Sequence, residues 1–399
     1  METKELSRNK LLGIAGTGWM FDAMDVGILS FVIAALAVDW QLTSTEMGWI
    51  GSVNSIGMAF GALGFGLLAD RIGRKPVFMI TLILFSVASG LSAFTTALWA
   101  FLALRFLVGA GLGGELPVAS TLVSESVEAK ERGRVVVLLE SFWAAGWLLA
   151  ALIAYFVIPS FGWRIALIIT ALPAFYAIYL RRNLPDSKKF VTEGKTNETT
   201  GQKLKQLLAP AYRKRTIMLW IVWFAVVFSY YGMFLWLPSV MVLKGFSLLK
   251  SFGYVLLMTL AQLPGYFSAA WLIERAGRKF VLATYLFGTA GSALAFGNAE
   301  TLTTLLVSGA FLSFFNLGAW GALYAYSPEQ YPTAIRATGS GVAAAVGRVG
   351  GIFGPLLIGS LLTEGFGFGS IFAIFCGAIM IGVVAVIVLG TETKQLELT

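Results

Sequence analysis

Histidine is absent from this 399-residue chain, and cysteine occurs once, at Cys376. A single cysteine excludes an intramolecular disulfide. Without histidine the chain lacks the usual neutral-pH proton carrier and a principal transition-metal ligand, so proton chemistry must run through carboxylates. Charge is scarce as well. Asp, Glu, Lys and Arg make up 13% of the residues, against the roughly 25% of a soluble domain. No nucleophile–base constellation and no cluster of metal-ligand residues is apparent, which argues against an enzyme and for no metal and no cofactor.

What fills the chain instead is apolar: 57% of its residues. Long hydrophobic stretches recur at about 12–38, 46–69, 76–94, 97–121, 134–158, 164–182, 215–243, 249–271, 280–297, 301–326, 338–362 and 368–389. Each is long enough to cross a hydrocarbon core of about 30 Å. Spans in lipid must satisfy their own backbone, and a barrel would show short alternating segments, so the expectation is an all-α membrane protein of twelve transmembrane helices. The first stretch is too long and too polar inside for a cleaved signal peptide. Short loops leave no room for a soluble catalytic domain.

The net charge of +8 reports topology rather than a nucleic-acid partner. With both termini cytoplasmic, every lysine and arginine falls in a terminus or cytoplasmic loop except Arg164, Lys244 and Lys250 outside and Arg105 and Arg348 within the membrane. That is the positive-inside bias, and it implies contact with anionic lipid headgroups. The long polar stretch at 184–214 divides six spans from six, which predicts an N-terminal bundle over 1–183, a cytoplasmic linker, and a C-terminal bundle over 215–399. A monomer is expected.

The halves repeat. Asp70-Arg-Ile-Gly-Arg-Lys75 returns as Glu274-Arg-Ala-Gly-Arg-Lys279, and at the same offset Glu125 and Arg132 match Glu329 and Arg336. Four charged landmarks at one spacing imply a duplicated half, hence two pseudo-symmetric six-helix bundles facing each other across a path. Glycines let these loops turn tightly, the acids take a nearby arginine or helix N-terminus, and the bases hold the cytoplasmic face. The plain reading is topology anchoring. The functional reading adds a cytoplasmic gate of Asp70, Arg71, Arg74, Glu125, Arg132, Glu274, Arg275, Arg278, Glu329 and Arg336 that latches in the outward-open state.

These paired loops resemble the signature of the major facilitator superfamily. Arg105 with Gly109, Gly111, Gly113 and Gly114, the run Glu329 to Arg336, Leu184-Pro-Asp-Ser187 and Glu392-Thr-Lys394 look like its sugar-porter-like branch, although Lys188 stands where that branch carries a proline. Gly16-Thr-Gly-Trp-Met-Phe-Asp22-Ala-Met-Asp25, Phe142-Trp143, Ser229-Tyr-Tyr-Gly232 and Gly318-Ala-Trp320-Gly are most similar to bacterial niacin transporters. Gly109-Ala-Gly111-Leu-Gly-Gly114 also fits GxGxxG, but it lies inside an apolar helix rather than after a strand, so close helix packing is the better reading. Gly57, Gly61 and Gly64 invite the same close approach.

Asp22 and Asp25 sit in the middle of the first span, where an ionised carboxylate costs at least roughly 2.5 kcal/mol. Arg105 lies about eight residues, roughly 12 Å, in from the outer end of the fourth span, and Asp25 reaches a similar depth from the other side. A pair between them is geometrically reasonable. In proton-coupled sugar symporters the corresponding aspartate and arginine form the proton site, and the resemblance carries that role to Asp25 and Arg105. A static buried ion pair is the plainer alternative. Asp22 shares a face with Asp25 and serves either as a second proton site or as a substrate contact. Glu115 and Glu140, on the fourth and fifth spans, either share a proton or flank the inner exit, and the sequence does not choose. Arg348 either holds a substrate carboxylate with its forked donors or pairs with one of these glutamates.

Trp143, Trp223, Tyr230, Tyr231, Trp320 and Tyr324 lie within spans. Most such aromatics pack or belong to the interfacial belt, yet in the related synaptic-vesicle-protein branch the matching positions line a central pocket. Here they would cage a flat ring, with Gln262 and Asn316 as polar contacts in the path. The resemblance implies a secondary transporter of a bacterial inner membrane, importing nicotinate with protons by alternating access. The alternatives are a carrier or exporter of another small aromatic acid or sugar-like solute, and a non-transporting sensor, against which the absence of a signalling module in the linker counts.

Overall fold

Amides in a hydrocarbon layer must bond within their own segment, and among the described residues the chain is helix and turn with no strand. The computed structural model describes residues 8–72, 74–125, 132–173, 175–176 and 200–394. In chain order its helices are α1 (Arg8–Asp39), α2 (Ser44–Ile72), α3 (Arg74–Ser92), α4 (Leu98–Glu125), α5 (Arg132–Ile169), α6 (Thr200–Leu207), α7 (Arg213–Leu243), α8 (Leu248–Leu260), α9 (Gln262–Ala276), α10 (Arg278–Gly297), α11 (Leu302–Glu329), α12 (Thr333–Thr363) and α13 (Phe368–Leu389). They make twelve membrane spans. α5 carries the fifth and enters the sixth beyond a kink at Gly162, whose φ of 80° and ψ of 166° suit glycine alone. α8 and α9 form the eighth, interrupted at Ala261.

The internal repeat is visible as repeated packing. The first span lies on the fifth as the seventh lies on the eleventh; the third lies on the fourth as the ninth lies on the tenth. Gly57 and Gly61 of α2 and Gly109 and Gly113 of α4 bring the second and fourth spans backbone to backbone, because a Cβ at any of them would strike a carbonyl of the opposing helix. Gly64, expected to join them, meets nothing nearby.

Several helices run past the hydropathy reading. α4 runs on to Glu125, α9 to Ala276 and α11 to Glu329, and α12 begins at Thr333, because helical hydrogen bonding continues past the apolar layer while hydropathy stops at its edge. The polar linker also contains a helix, α6, which is pinned where Thr216 Oγ1 donates to the Leu207 carbonyl at 2.8 Å.

The halves meet where α2 packs on α12, α1 on α7, and α5 on α8, α9 and α11. At the face away from the termini this contact is tight. Gly48 lies against the Pro355 carbonyl and Gly359 against that of Ser44, with Thr45 and Thr363 hydroxyls 3.0 Å apart. Deeper, Ser52 Oγ donates to the Ile352 carbonyl at 2.6 Å, and the Phe31 and Phe252 rings meet edge to face at 5.2 Å. The two halves are therefore in direct contact at this end. Phe60, Leu63, Phe156, Phe287 and Val388 point outward as exposed apolar side chains, as a lipid-facing surface requires.

Candidate functional site

Asp25 on α1 and Arg105 on α4 are both fully buried, and Arg105 Nη1 stands 3.4 Å from Asp25 Oδ2. The third span supplies the hydroxyls that hold them. Ser89 Oγ donates to Asp25 Oδ1 at 2.5 Å, while Arg105 Nη2 donates to Ser89 Oγ and Ser92 Oγ, each at 3.0 Å. The Thr170 hydroxyl lies 2.6 Å from that of Ser89, and the Phe101 ring faces the guanidinium. A buried ion pair is tolerable only when further hydrogen bonds surround it, and these serines provide them. Asp22, one turn earlier, is buried too.

The aromatic residues meet at the boundary between halves. Trp143 and Trp147 share a face of α5, Tyr230 and Tyr231 come from α7, and Trp320 and Tyr324 share a face of α11. Trp143 stacks on Trp320 at 6.1 Å between centroids, Trp320 meets Tyr230 at 4.8 Å, and Trp223 meets Tyr324 edge on at 4.9 Å. Polar tips are bonded within the cluster: Trp143 Nε1 to Tyr230 Oη at 2.6 Å, and Trp223 Nε1 to Ser327 Oγ at 2.8 Å. Arg348 on α12 is buried beside it and donates to Tyr231 Oη at 3.2 Å; among the described residues it forms no ion pair. Gln262 and Asn316 are buried on α9 and α11 with both atoms of each amide unbonded.

Sequence reasoning missed two members. Trp19 on α1 lies 5.2 Å from Trp143 and 6.3 Å from Tyr324, and Trp147 meets Tyr230 at 6.3 Å. Tyr266 on α9, also passed over, is fully buried. The signal for the tryptophans was helical spacing: Trp19 precedes Asp22 by three residues and Trp147 follows Trp143 by four. Glu140, left without a role, lies against the same cluster and accepts from Trp19 Nε1 at 3.2 Å. Two open crevices, of about 600 and 460 Å³, lie instead at the edges of the C-terminal half, among Gly291–Phe311 and beside Lys279 and Glu392.

At the termini face the second loop copy is a dense network. Arg278 grips Glu274 with both terminal nitrogens at 2.7 and 3.1 Å and donates from Nε to Glu329 at 3.1 Å. Glu329 also accepts from Thr393 Oγ1 at 2.7 Å. Arg336 donates to the carbonyls of Pro328 and Tyr331, and Arg275 stacks on Trp271 at 4.1 Å. Among the described residues one bond of this network crosses to the other half: the Arg134 amide donates to Glu274 Oε1 at 3.2 Å. The side chains of Asp70, Arg71, Arg74, Glu115, Glu125 and Arg132 lie outside the described residues.

The tail closes this network. The Glu392 carboxylate accepts the amides of Arg278 at 2.9 Å and Lys279 at 3.1 Å, so it caps the N-terminus of α10. Gly277, at φ 99°, makes room for it, since a Cβ there would run into that carboxylate. Glu392→Ala is expected to lower stability by about 1 kcal/mol, read as a lower thermal midpoint in detergent. Gly277→Ala should cost more, because it adds backbone strain to the loss of the cap.

The comparisons agree with this architecture. A family model described as Major Facilitator Superfamily matches residues 16–268 and 254–398. The chain is 68% identical over 393 residues to a Bacillus subtilis protein described as a putative niacin/nicotinamide transporter, with 98% of each chain covered. It is 48% identical to the niacin transporter of Acinetobacter baylyi, covering 96% of this chain and 94% of that one. It is 31% identical to a Xenopus laevis synaptic vesicle 2-related protein, covering 96% and 78%. In fold it matches the xylose transporter XylE of E. coli in a partially occluded inward-open conformation, with a TM-score of 0.79 at 20% identity over 97% of this chain and 99% of that one.

Proposed function

The chain belongs to the major facilitator superfamily, and on that premise we propose that it imports nicotinate together with protons by alternating access. The observation that carries this reading is an aromatic cluster built from both halves with one buried guanidinium at its edge. Flat rings and a forked cation are the chemistry that recognises an aromatic carboxylate. The whole-length similarity to proteins described as niacin transporters supports the same substrate class.

In this reading the termini face is cytoplasmic, the protein sits in a bacterial inner membrane, and 1–183 and 215–399 are the two moving bodies joined by 184–214. Asp25 is the proton carrier. Protonation weakens its hold on Arg105, Ser89 and Ser92 relax with it, and the first half is freed to tilt. Asp22 is a second acid on the same path. Substrate sits among Trp143, Trp223, Tyr230, Tyr231, Trp320 and Tyr324, with Arg348 on its carboxylate and Gln262 and Asn316 in the path. The tight packing of α2 on α12 at the far face is the closed outer gate. The Glu274–Arg278–Glu329 network, with Arg275 and Arg336 beside it, is half of the inner gate. Asp70, Arg71, Arg74, Glu125 and Arg132 complete it.

The test is uptake of labelled nicotinate into proteoliposomes with and without an inward proton gradient. Accumulation that collapses on adding a protonophore supports the reading; uptake indifferent to the gradient makes the protein a facilitator. Trp320→Ala should weaken nicotinate binding by about tenfold or more, since it removes the ring that Trp143, Tyr230 and Tyr324 all contact. Trp320→Phe should recover most of the loss in an equilibrium binding assay.

A further inference from the structure

Glu140 is fully buried on α5 among aromatic rings, an expensive place for a carboxyl group that serves only packing. Its one hydrogen bond is from Trp19 Nε1 to Oε2, and Oε1 is left without a partner. Among the described residues no arginine or lysine forms an ion pair with it. Two further buried polar tips within its electrostatic reach, Trp320 Nε1 and the Tyr266 hydroxyl, close no hydrogen bond of ordinary geometry. Buried polar atoms are bonded in all but a few places in a folded protein, and exceptions gathered at one spot ask for an absent partner.

The remaining neighbours define the setting. Asp22 stands one turn from Trp19 on α1, and Tyr324 on α11 is within electrostatic reach of both Glu140 and Arg348. Glu115 of α4 lies outside the described side chains.

We infer that Glu140, Trp320 and Tyr266 form a polar subsite that hydrogen-bonds the ring heteroatom of a heteroaromatic substrate. The inference rests on the proposed transport of an aromatic acid and deepens it: Arg348 takes the carboxylate, and this subsite takes the ring nitrogen. A carboxyl group and a pyridine nitrogen make one hydrogen bond through one shared proton, whichever atom carries it, while the indole and phenol offer further donors. The aromatic rings alone accept any flat ring; the subsite selects a nitrogen heterocycle over a carbocycle.

Equilibrium binding of nicotinate and benzoate to purified full-length protein tests it, because benzoate keeps the shape and carboxylate and lacks the nitrogen. Wild type is expected to prefer nicotinate by about tenfold or more, the scale of one buried hydrogen bond to a polar group. Glu140→Leu should bring nicotinate down to the level of benzoate while benzoate binding, which needs no ring-nitrogen contact, reports the fold. An unchanged ratio, or equal losses of both ligands, would overturn the inference. If Glu140→Leu does not fold, Glu140→Gln decides. Its amide, held through its oxygen by Trp19, donates to a ring nitrogen and cannot accept from a ring N–H. It should keep nicotinate and lose about tenfold on pyrrole-3-carboxylate relative to wild type; equal retention of both overturns the inference. Wild-type protein that binds nicotinate and benzoate alike overturns this inference alone. Wild-type protein that binds neither overturns the transport reading and this one with it.

Discussion

Asp25→Asn is expected to abolish accumulation of nicotinate against its gradient while leaving exchange of internal for external substrate largely intact. The argument begins with what asparagine keeps. Its amide has the shape of the protonated acid and can still bond Ser89, and Arg105 retains Ser89 and Ser92 as partners. The variant therefore imitates one state of the cycle rather than emptying a cavity. What it cannot do is release a proton. For one proton carried with one nicotinate anion the cycle is electroneutral, and each unit of inward pH gradient, about 1.4 kcal/mol, supports about tenfold accumulation. Without the carboxylate that ratio should fall to about one at any pH gradient. Accumulation that stays near tenfold in the variant would move the coupling role away from Asp25, to Asp22 or another carboxylate, and would leave the Asp25–Arg105 pair as structure. In the proposed cycle α2 and α12 form the outer gate, so exchange is the right control: it passes substrate through the same rearrangement.

Much of the architecture was legible because lipid leaves a chain few options. Apolar length gave the spans, and the repeat of Asp70–Lys75 at Glu274–Lys279 gave the two-fold pattern that appears as matching helix pairs. Depth along a helix was enough to suggest that Asp25 and Arg105 reach each other, and they stand 3.4 Å apart. Their hydroxyl partners were not legible, because Ser89, Ser92 and Thr170 are ordinary residues for a packed helix and only three-dimensional register brings them to the pair. The aromatic cluster was half legible. Motifs pointed to Trp143 and Trp320; Trp19 lay inside a motif string but received no site role there, and Trp147 lay in none, because both need the helical face rather than the local string. Glu140 shows the limit most clearly. A carboxylate in a membrane helix signals function from sequence, but its surroundings come from three other helices, so its chemistry emerges only when α1, α9 and α11 are folded against α5.

The same lesson applies at the termini face. Charge alone placed Glu329 among ten candidate gate residues without choosing its partners, and Glu329 bonds Arg278 and Thr393. Arg278 reaches two acids at once because α10 starts directly after the turn at Gly277, placing its guanidinium over the end of α11. The tail residues Glu392 and Thr393 then bind both sides of that turn. Most of this network ties elements of the C-terminal half to one another; the amide of Arg134 is the described bond that crosses.

Arg348→Gln is expected to separate carboxylate from carboxamide recognition. The guanidinium is buried and holds one phenol, Tyr231, at 3.2 Å, with Met58 Sδ beside both groups. A lone buried cation in a site without a described counter-ion is costly to keep, and an anionic substrate supplies what is missing. Charge-assisted hydrogen bonds are worth about 1.5–3 kcal/mol, so removing the charge should weaken nicotinate binding by roughly ten- to a hundredfold. Nicotinamide carries no charge, so its affinity should change by less than about threefold, the scale of a fraction of a kcal/mol. Arg348→Lys should fall between, since an ammonium keeps the charge and loses the fork. The decisive reading is the ratio of the two ligands in competition binding. If both weaken together, Arg348 supports the helix packing around Tyr231. If nicotinate alone weakens, the carboxylate binds at Arg348, and the ring then extends over Tyr231 and Tyr230 toward Trp320, where the rings of both halves can close on it.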